Sequence, residues 1–231
     1  MNKRISTLKR VFPLTIPVMT GYLALGIALG ILMHSKGYSM FWVIFSSTFI
    51  YAGTMQFMAI PLLATGFNPV NAFILTIMIN ARFMFYGISM LRKFSNTGKY
   101  KPYLIFGLTD ETFSLLNATE INEDEDKGEF MCYITLLNHL YWIIGSILGY
   151  LINSLFSFNT MGIDFVLTAL FVVIFIDKWK QAKSKSPLIL GLVAAILARF
   201  IFGPVNLIIP TMIIILVVVT LLKDKKEWRD L

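Results

Sequence analysis

Four long stretches of this chain carry no lysine or arginine, and this feature limits the possible folds more than any other. They are residues 11–33, 39–63, 160–176 and 205–222, and apart from Asp164 they also lack carboxylates. A helix needs an apolar run of about 20 residues to cross a bilayer. Because 57% of all residues are hydrophobic, the sequence predicts an all-α integral membrane protein in the lipid bilayer and excludes an ordinary soluble domain.

The apolar runs and their spacing predict about seven transmembrane helices. These crossings are placed at 12–33, 39–61, 70–91, 130–152, 160–177, 187–203 and 205–222. Several of them contain residues at which a helix can break, namely Pro13, Pro17, Gly53, Pro61 and the Gly203-Pro204 corner. Seven crossings leave only short loops, so any function must lie within the bilayer.

Residues 103–118 form a different kind of segment. They are apolar at both ends, but Asp110 and Glu111 lie in the middle, and the segment is too short for a comfortable crossing. We therefore predict a broken or re-entrant segment here. The acid-rich stretch that follows, 120–129, is predicted to be a solvated loop.

Two parts of the chain repeat at nearly the same distance. Residues 79–85 match residues 196–202 at five of seven positions. A second set recurs 119 residues later: Tyr22, Gly26, Leu29 and Gly30 as Tyr141, Gly145, Leu148 and Gly149. We predict a first repeat over 1–119, the acidic loop, and a second repeat plus a final helix over 130–231. If 103–118 does not cross, each repeat has three helices and the duplication is inverted, which is our prediction; if it crosses, the copies are parallel.

The basic residues form short clusters at the ends of the apolar runs. This distribution favours membrane topology and lipid headgroups, with no nucleic acid as a partner, despite the formal charge of +7. It predicts that the C-terminus, the lysines within 178–185 and the acidic loop 120–129 are cytoplasmic. With seven crossings the basic N-terminus lies outside, against the charge rule. With eight crossings the basic cluster at 92–101 lies outside instead. The N-terminal run is predicted to be a retained first helix rather than a signal peptide.

Charged residues within the apolar segments are costly, so each needs a reason. Arg82 lies midway along its helix and is interpreted either as the ion-pair partner of Asp110 or Glu111 or as a transport residue. Arg199 is near a helix end, where its side chain can reach the interface. Asp164 is near a helix start, where a cap is the simplest role.

The stretch from Gly107 to Thr112 is the best candidate site. Glycine, hydroxyls and two acids between apolar flanks are suited to binding a proton, a cation or an ammonium group, with Thr109, Asp110 and Glu111 as the central residues. His139 is predicted to be an interhelical hydrogen-bonding residue rather than a proton relay. Gln56 is interpreted either as a polar residue that packs between helices beside a small residue, or as a neighbour of main-chain carbonyls that are exposed beside Gly53.

Catalytic and metal-binding motifs do not occur in this sequence. Cys132 is the single cysteine, so an intrachain disulfide and a cysteine-based metal cluster are excluded. No protease, hydrolase, phosphate-loop or paired-histidine pattern is present. The sequence thus predicts a protein that is not an enzyme and that needs no cofactor or metal.

Four motifs resemble those of the AzlC family of branched-chain amino acid permeases, the azaleucine-resistance exporters. Residues 51–57 resemble the family pattern YAG-x-x-QF, residues 80–87 resemble N-x-R-H-x-x-YG, and residues 108–113 resemble LTDE-x-F. Residues 162–171 resemble a later G-x-D-F…ALF segment. The resemblance covers nearly the whole chain.

The resemblance implies a multi-pass transporter subunit in the bacterial inner or plasma membrane. It implies export of leucine, isoleucine, valine and analogues, coupled to proton uptake, together with a small AzlD-like membrane subunit. Phe83 replaces a usual histidine, which weakens any relay through that position, and Thr168 replaces a common proline, which predicts a less kinked fifth helix. The candidate substrate-binding or coupling residues are Tyr51, Gln56, Asn80, Arg82, Thr109, Asp110, Glu111, Asp164 and Arg199. The alternative is a channel-like or scaffolding membrane protein whose buried charges are only structural.

Overall fold

The computed structural model is all-helical over the residues that it describes. These are residues 3–64, 68–122, 125–156, 184–203 and 208–222, with 169, 172, 175, 176, 179, 180 and 182. They form nine α-helices: α1 Lys3–Ser35, α2 Met40–Phe45, α3 Gly53–Ala64, α4 Pro69–Met90, α5 Lys101–Phe106, α6 Asp110–Ala118, α7 Lys127–Leu155, α8 Ser186–Phe202 and α9 Ile208–Leu222. A π-helical turn, Ser46–Ile50, follows α2 directly. The chain divides into two units, Met1–Leu167 and Thr168–Leu231.

The first unit is built on α1 and α7, which are both long and apolar enough to cross a membrane. Two contacts give their relative direction. The Tyr22 and Trp142 rings meet edge to face at 5.5 Å, and farther along both helices the His34 Nδ1 atom lies 2.7 Å from Asn153 Nδ2. Because residue numbers rise together in the two helices, α1 and α7 run in the same direction.

Glycines allow α1 and α7 to approach closely. Each helix carries a pair four residues apart: Gly26 with Gly30, and Gly145 with Gly149. A Cβ atom at Gly30 would lie 2.0 Å from the Ser146 carbonyl oxygen, and one at Gly149 would lie 2.0 Å from the Ile27 carbonyl oxygen. Small residues at this spacing let two membrane helices pack backbone against backbone.

The parallel direction of α1 and α7 corrects the predicted inverted duplication. These are the helices that carry the repeated glycines, and an inverted duplication would make them antiparallel. Their direction fits the parallel alternative instead. The internal repeat thus pairs equivalent glycines at the same level of the two helices.

The segment predicted to cross at 39–61 instead forms a hairpin, which we call the first hairpin (residues 40–64). It enters from the C-terminal end of α1, where Ser46 Oγ lies 3.9 Å from Met33 Sδ. The chain breaks at Tyr51 and Ala52, and α3 then turns back. Gln56 Nε2 is 3.1 Å from Ser46 Oγ, ten residues earlier, which a continuous straight helix could not achieve.

The direction of α4 confirms that α3 returns to the side from which α2 came. Met90, at the end of α4, packs with Val11 and Phe130 near the starts of α1 and α7. Thr76, about 21 Å earlier along the helix, contacts Met55 of α3 with its hydroxyl 3.6 Å from the sulfur. Helix α4 therefore begins at the end where the first hairpin enters and runs antiparallel to α1.

Residues 101–118 form the second hairpin, in agreement with the predicted broken segment. Its base lies beside the start of α7, where a Cβ at Gly128 would contact Tyr100 at 2.8 Å. Its middle, at Gly107, packs against Thr135, one third of the way along α7. Its end returns to the base, since Arg10 donates a hydrogen bond to the carbonyl of Glu120 at 3.1 Å.

The ends of α4 and α8 lie close to those expected from the sequence, whereas α1 begins at Lys3, nine residues before the predicted start of the first crossing. Pro13 and Pro17 are inside α1 and do not end it, so they were wrong as candidate breaks. Helix α7 begins three residues earlier than predicted, because Asp126 caps it by accepting from the Glu129 amide at 2.9 Å.

In the second unit, α8 and α9 pack together, and Gly203 ends α8 with φ of +76°. The predicted crossing at 160–177 lies largely outside the described residues. Residues 39–61 are therefore no longer counted as a crossing. The other six crossings predicted from the sequence remain predictions.

Candidate functional site at the hairpin tips

The two hairpins enter the first unit from opposite ends, and their tips meet. The first tip is 51–52 and the second tip is 107–109. The rings of Tyr51 and Phe106, one from each hairpin, have centroids 6.3 Å apart. Interrupted helices inside a membrane are tolerated only where protein or a cavity surrounds the freed backbone groups.

The second tip is held by hydroxyl groups and one carboxylate. Thr109 caps α6 by accepting from the Thr112 amide at 3.2 Å. The Tyr22 hydroxyl lies 2.6 Å from the Thr109 hydroxyl and donates to Glu111 Oε2 at 2.7 Å. Asn138 of α7 donates to the Thr112 hydroxyl at 3.0 Å. The acidic motif is therefore fixed to both α1 and α7.

Asp110 is the first residue of α6 and is partly buried. At this position a carboxylate is stabilised by the free amides of the first helical turn. Asp110 and Glu111 thus follow the Thr109 cap directly at the second tip.

The first tip has an unusual backbone. Tyr51 adopts the left-handed helical conformation, with φ of +46° and ψ of +40°, which is uncommon for a bulky residue. Its ring lies 4.2 Å from the His139 ring, measured between centroids, and is only 4% exposed. No hydrogen bond of ordinary geometry reaches the Tyr51 hydroxyl from the described residues, but the hydroxyls of Tyr22 and Thr109 lie near it. A left-handed backbone and a buried hydroxyl beside the polar groups of the second tip, both at one residue, point to a functional position.

His139 of α7 joins the two hairpins. Its Nε2 atom lies 3.1 Å from the Ser47 carbonyl oxygen, and its Nδ1 atom lies 3.1 Å from the Tyr103 hydroxyl. Because a carbonyl can only accept, Nε2 carries the hydrogen and Nδ1 accepts from Tyr103. The prediction of an interhelical hydrogen-bonding residue is confirmed.

Gln56 is the centre of a second buried network. The Trp142 indole donates to Gln56 Oε1 at 3.0 Å, while Gln56 Nε2 donates to the hydroxyls of Ser46 and Ser47 at 3.1 and 3.5 Å. Ser47 in turn donates to Ser146 at 3.1 Å. Gln56 therefore packs the first hairpin against α7, which matches the packing interpretation of this residue.

A cavity of about 500 Å³ adjoins both tips, and we call it the tip cavity. Its lining is mostly apolar and includes Tyr51, Asn80, Phe83, Lys101, Phe106 and Leu108. This volume lies within the usual range of small-molecule sites. Two of the predicted site residues, Tyr51 and Asn80, thus line one cavity.

The remaining predicted residues are not part of this arrangement as described. Arg82 lies in α4, but its side chain is outside the described residues, and so is all of Asp164. Arg199 lies in the last turn of α8, in the second unit, with an exposed side chain. The predicted pairing of Arg82 with an acid of the second tip stays a prediction.

Sequence reasoning missed several residues of the site. Tyr22, Trp142 and Asn138 bind to the hairpins, and Tyr103 of the second hairpin binds to His139. Tyr22 was visible only as a repeated residue, and the others gave no signal, because a polar atom on an aromatic or amide side chain carries no spacing pattern that reveals its partner.

Polar tips of two interrupted helices beside a cavity, in a largely apolar helical unit, define a membrane transport protein. The AzlC protein family model matches residues 17–156, and the chain belongs to this family. It is 48% identical to the "Branched-chain amino acid transport protein AzlC" of Bacillus subtilis over 233 residues, covering 100% of this chain and 92% of that protein.

Two further relatives are more distant. An "Uncharacterized membrane protein" of Helicobacter pylori is 38% identical over 98% of this chain and 100% of its own length. The "Inner membrane protein YgaZ" of Escherichia coli is 27% identical over 74% of this chain and 72% of its own. No solved structure matches the chain. The comparisons confirm the family resemblance and the location in a membrane.

Proposed function

We propose that this protein exports branched-chain amino acids from a bacterial cell, as a multi-pass protein of the inner or plasma membrane, in exchange for protons. The observation that carries the proposal is an apolar cavity of about 500 Å³ that both hairpin tips line, through Tyr51 in one and Leu108, two residues before Asp110, in the other. The name of the Bacillus subtilis relative, a branched-chain amino acid transport protein, supports the substrate class.

A branched-chain amino acid presents two charges and an aliphatic side chain. The apolar lining of the tip cavity, including Phe83, Phe106 and Leu108, suits the aliphatic side chain. The acids of the second tip, Asp110 and Glu111, suit the ammonium group. In this proposal the substrate lies between the hairpins and touches both tips.

Proton coupling is assigned to the second tip. Glu111 is held by Tyr22 and lies at the end of an interrupted helix, so that protonation would remove the charge that binds a substrate ammonium group. Competition between a proton and the ammonium group for one carboxylate is sufficient for exchange. Arg82 is retained in the proposal as the mid-helix partner of these acids or of the substrate.

A small AzlD-like membrane subunit is proposed as the partner. Its contribution is tested together with transport, by measuring efflux of labelled leucine, isoleucine and valine from cells that contain this protein alone or with the partner. Lysine and glutamate serve as control substrates, because their side chains do not suit an apolar cavity. Efflux of all five amino acids equal to that of cells lacking the protein would favour the scaffolding alternative.

A further inference from the structure

Lys101 brings a positive charge to the tip cavity. It is the first residue of α5 and is exposed, as is Leu91 beside the same cavity, whereas Tyr51 and Leu108 in the lining are buried. Ile50, Met84, Ile88, Ile105 and Phe106 of the lining are also exposed, so the cavity is open along one side. Lys101 lies on that open side, which we call the mouth. Among the lining residues that the structure describes, Lys101 alone is charged.

A zwitterion cannot enter an apolar cavity cheaply unless each charge finds a partner. The acids of the second tip can balance the ammonium group, but the carboxylate needs a cation or several donors. Asn80 lines the cavity and offers only a neutral amide. Lys101 is the cation that the cavity lining itself provides.

We propose that Lys101 binds the α-carboxylate of the substrate at the mouth of the tip cavity. The inference rests on the proposed function, because it requires an amino acid as the substrate. The lysine ammonium group on its flexible stem acts as a point charge, so the contact needs no fixed bidentate geometry.

A phospholipid could also place a phosphate near Lys101 and an acyl chain in the cavity. The lining argues against this occupant, because an acyl chain would cover the polar groups of Tyr51 and Asn80 without offering them hydrogen bonds. A small amino acid leaves room for water or for its own charged groups beside them. The amino acid is therefore the occupant that fits both the apolar lining and the charge of Lys101.

The test compares three purified variants with the wild-type protein, K101Q, K101R and K99Q. Lys99 is the matched control, since it lies over the Tyr100 ring at 5.3 Å and is not among the described lining residues. Labelled leucine is bound to each protein and displaced by unlabelled leucine or by leucinamide, which keeps the ammonium group and lacks the carboxylate.

We expect K101Q to raise the leucine concentration for half-displacement about fivefold, as for loss of one partly exposed ion pair. The leucinamide concentration for half-displacement should stay unchanged or fall in K101Q. K101R should resemble the wild type in both concentrations, and K99Q should change neither. Equal changes for both ligands, or no change for leucine, would overturn the assignment. So would a K101Q variant that loses co-purified phospholipid while its leucine binding is unchanged.

The same series separates this inference from the proposed function. Leucine binding by the wild type without any efflux would contradict export, yet the K101Q comparison would still decide the role of Lys101. Efflux and binding that are both insensitive to K101Q would leave export standing and reject Lys101. A wild-type protein that binds no leucine would contradict both.

Discussion

The Tyr22 hydroxyl donates to Glu111 at 2.7 Å and thereby connects α1 to the acidic tip of the second hairpin. A hydrogen bond to a charged group contributes about 1.5–3 kcal/mol. We therefore expect Tyr22→Phe to reduce the rate of leucine efflux by at least about tenfold. Efflux from cells with equal amounts of protein in the membrane is the measurement.

Tyr141→Phe is the matched control for that prediction. Tyr141 is the repeat equivalent of Tyr22, but its hydroxyl contacts Thr15, 3.0 Å away, rather than a hairpin tip. It should leave efflux nearly unchanged. Equal losses in the two variants would show that Tyr22 acts through helix packing alone.

The two adjacent acids of the second tip should differ in their roles. Asp110 begins α6 directly after its cap, so Asp110→Asn is expected to be the more damaging change for transport. Glu111→Gln cannot titrate and should mainly flatten the dependence of efflux on external pH. Rates measured across external pH decide the matter, and unchanged rates and profiles in both variants would reject the mechanism.

Tyr51→Phe separates a functional hydroxyl from a structural one. The Tyr51 hydroxyl has no hydrogen bond of ordinary geometry within the described residues, although the Tyr22 and Thr109 hydroxyls lie near it. Its removal should therefore change the free energy of unfolding by no more than about 1 kcal/mol. Transport should nevertheless fall severalfold if this group faces the substrate. Thermal unfolding and efflux of the same variant are compared, and a larger loss of stability would show that the hydroxyl has a structural partner.

Gly30→Ala should destabilise the protein because a Cβ there would overlap the Ser146 carbonyl oxygen. Forcing α1 and α7 apart is expected to cost about 1–3 kcal/mol of unfolding free energy. Gly21→Ala in the same helix is the control, since no described atom lies within 4 Å of its added Cβ. Equal unfolding temperatures for the two variants in detergent would contradict the close packing.

The hairpins also predict which loops share a side of the membrane. Arg10 forms an ion pair with Glu125, so the start of α1 and the loop before α7 lie together. In a protein that lacks Cys132, cysteines at Ser95 and Asn122 should react with an impermeant reagent from one side, and a cysteine at Ser39 from the other. Labelling of all three positions from one side would exclude the described hairpins.

The interruption at the second tip was predictable from sequence because Gly107 and the two acids interrupt an otherwise apolar segment. The return of the first hairpin was not, because residues 39–61 are equally apolar whether they cross the bilayer or turn back within it. The contact from Gln56 back to Ser46 and the direction of α4 distinguish the two cases.

The candidate site was predictable to a similar extent. Composition and motifs singled out Thr109, Asp110 and Glu111, since acids at membrane depth are rare and costly. The contacts of Thr109 and Glu111 with Tyr22 depend on packing between elements almost 90 residues apart, which no local pattern encodes. The direction of the duplication failed for a related reason, because it was derived from a count of crossings in which one hairpin was taken for a span.

Because the first hairpin returns to the side that it left, the predicted total falls from seven crossings to six when the others are unchanged. Both ends of the chain then face the cytoplasm. The N-terminal basic residues, which a count of seven placed outside, join those at 92–101, 178–185 and 223–229 on that side. The anionic inner leaflet and the membrane potential would then act together to hold every basic cluster in place, so insertion of the chain would have one electrostatically preferred orientation.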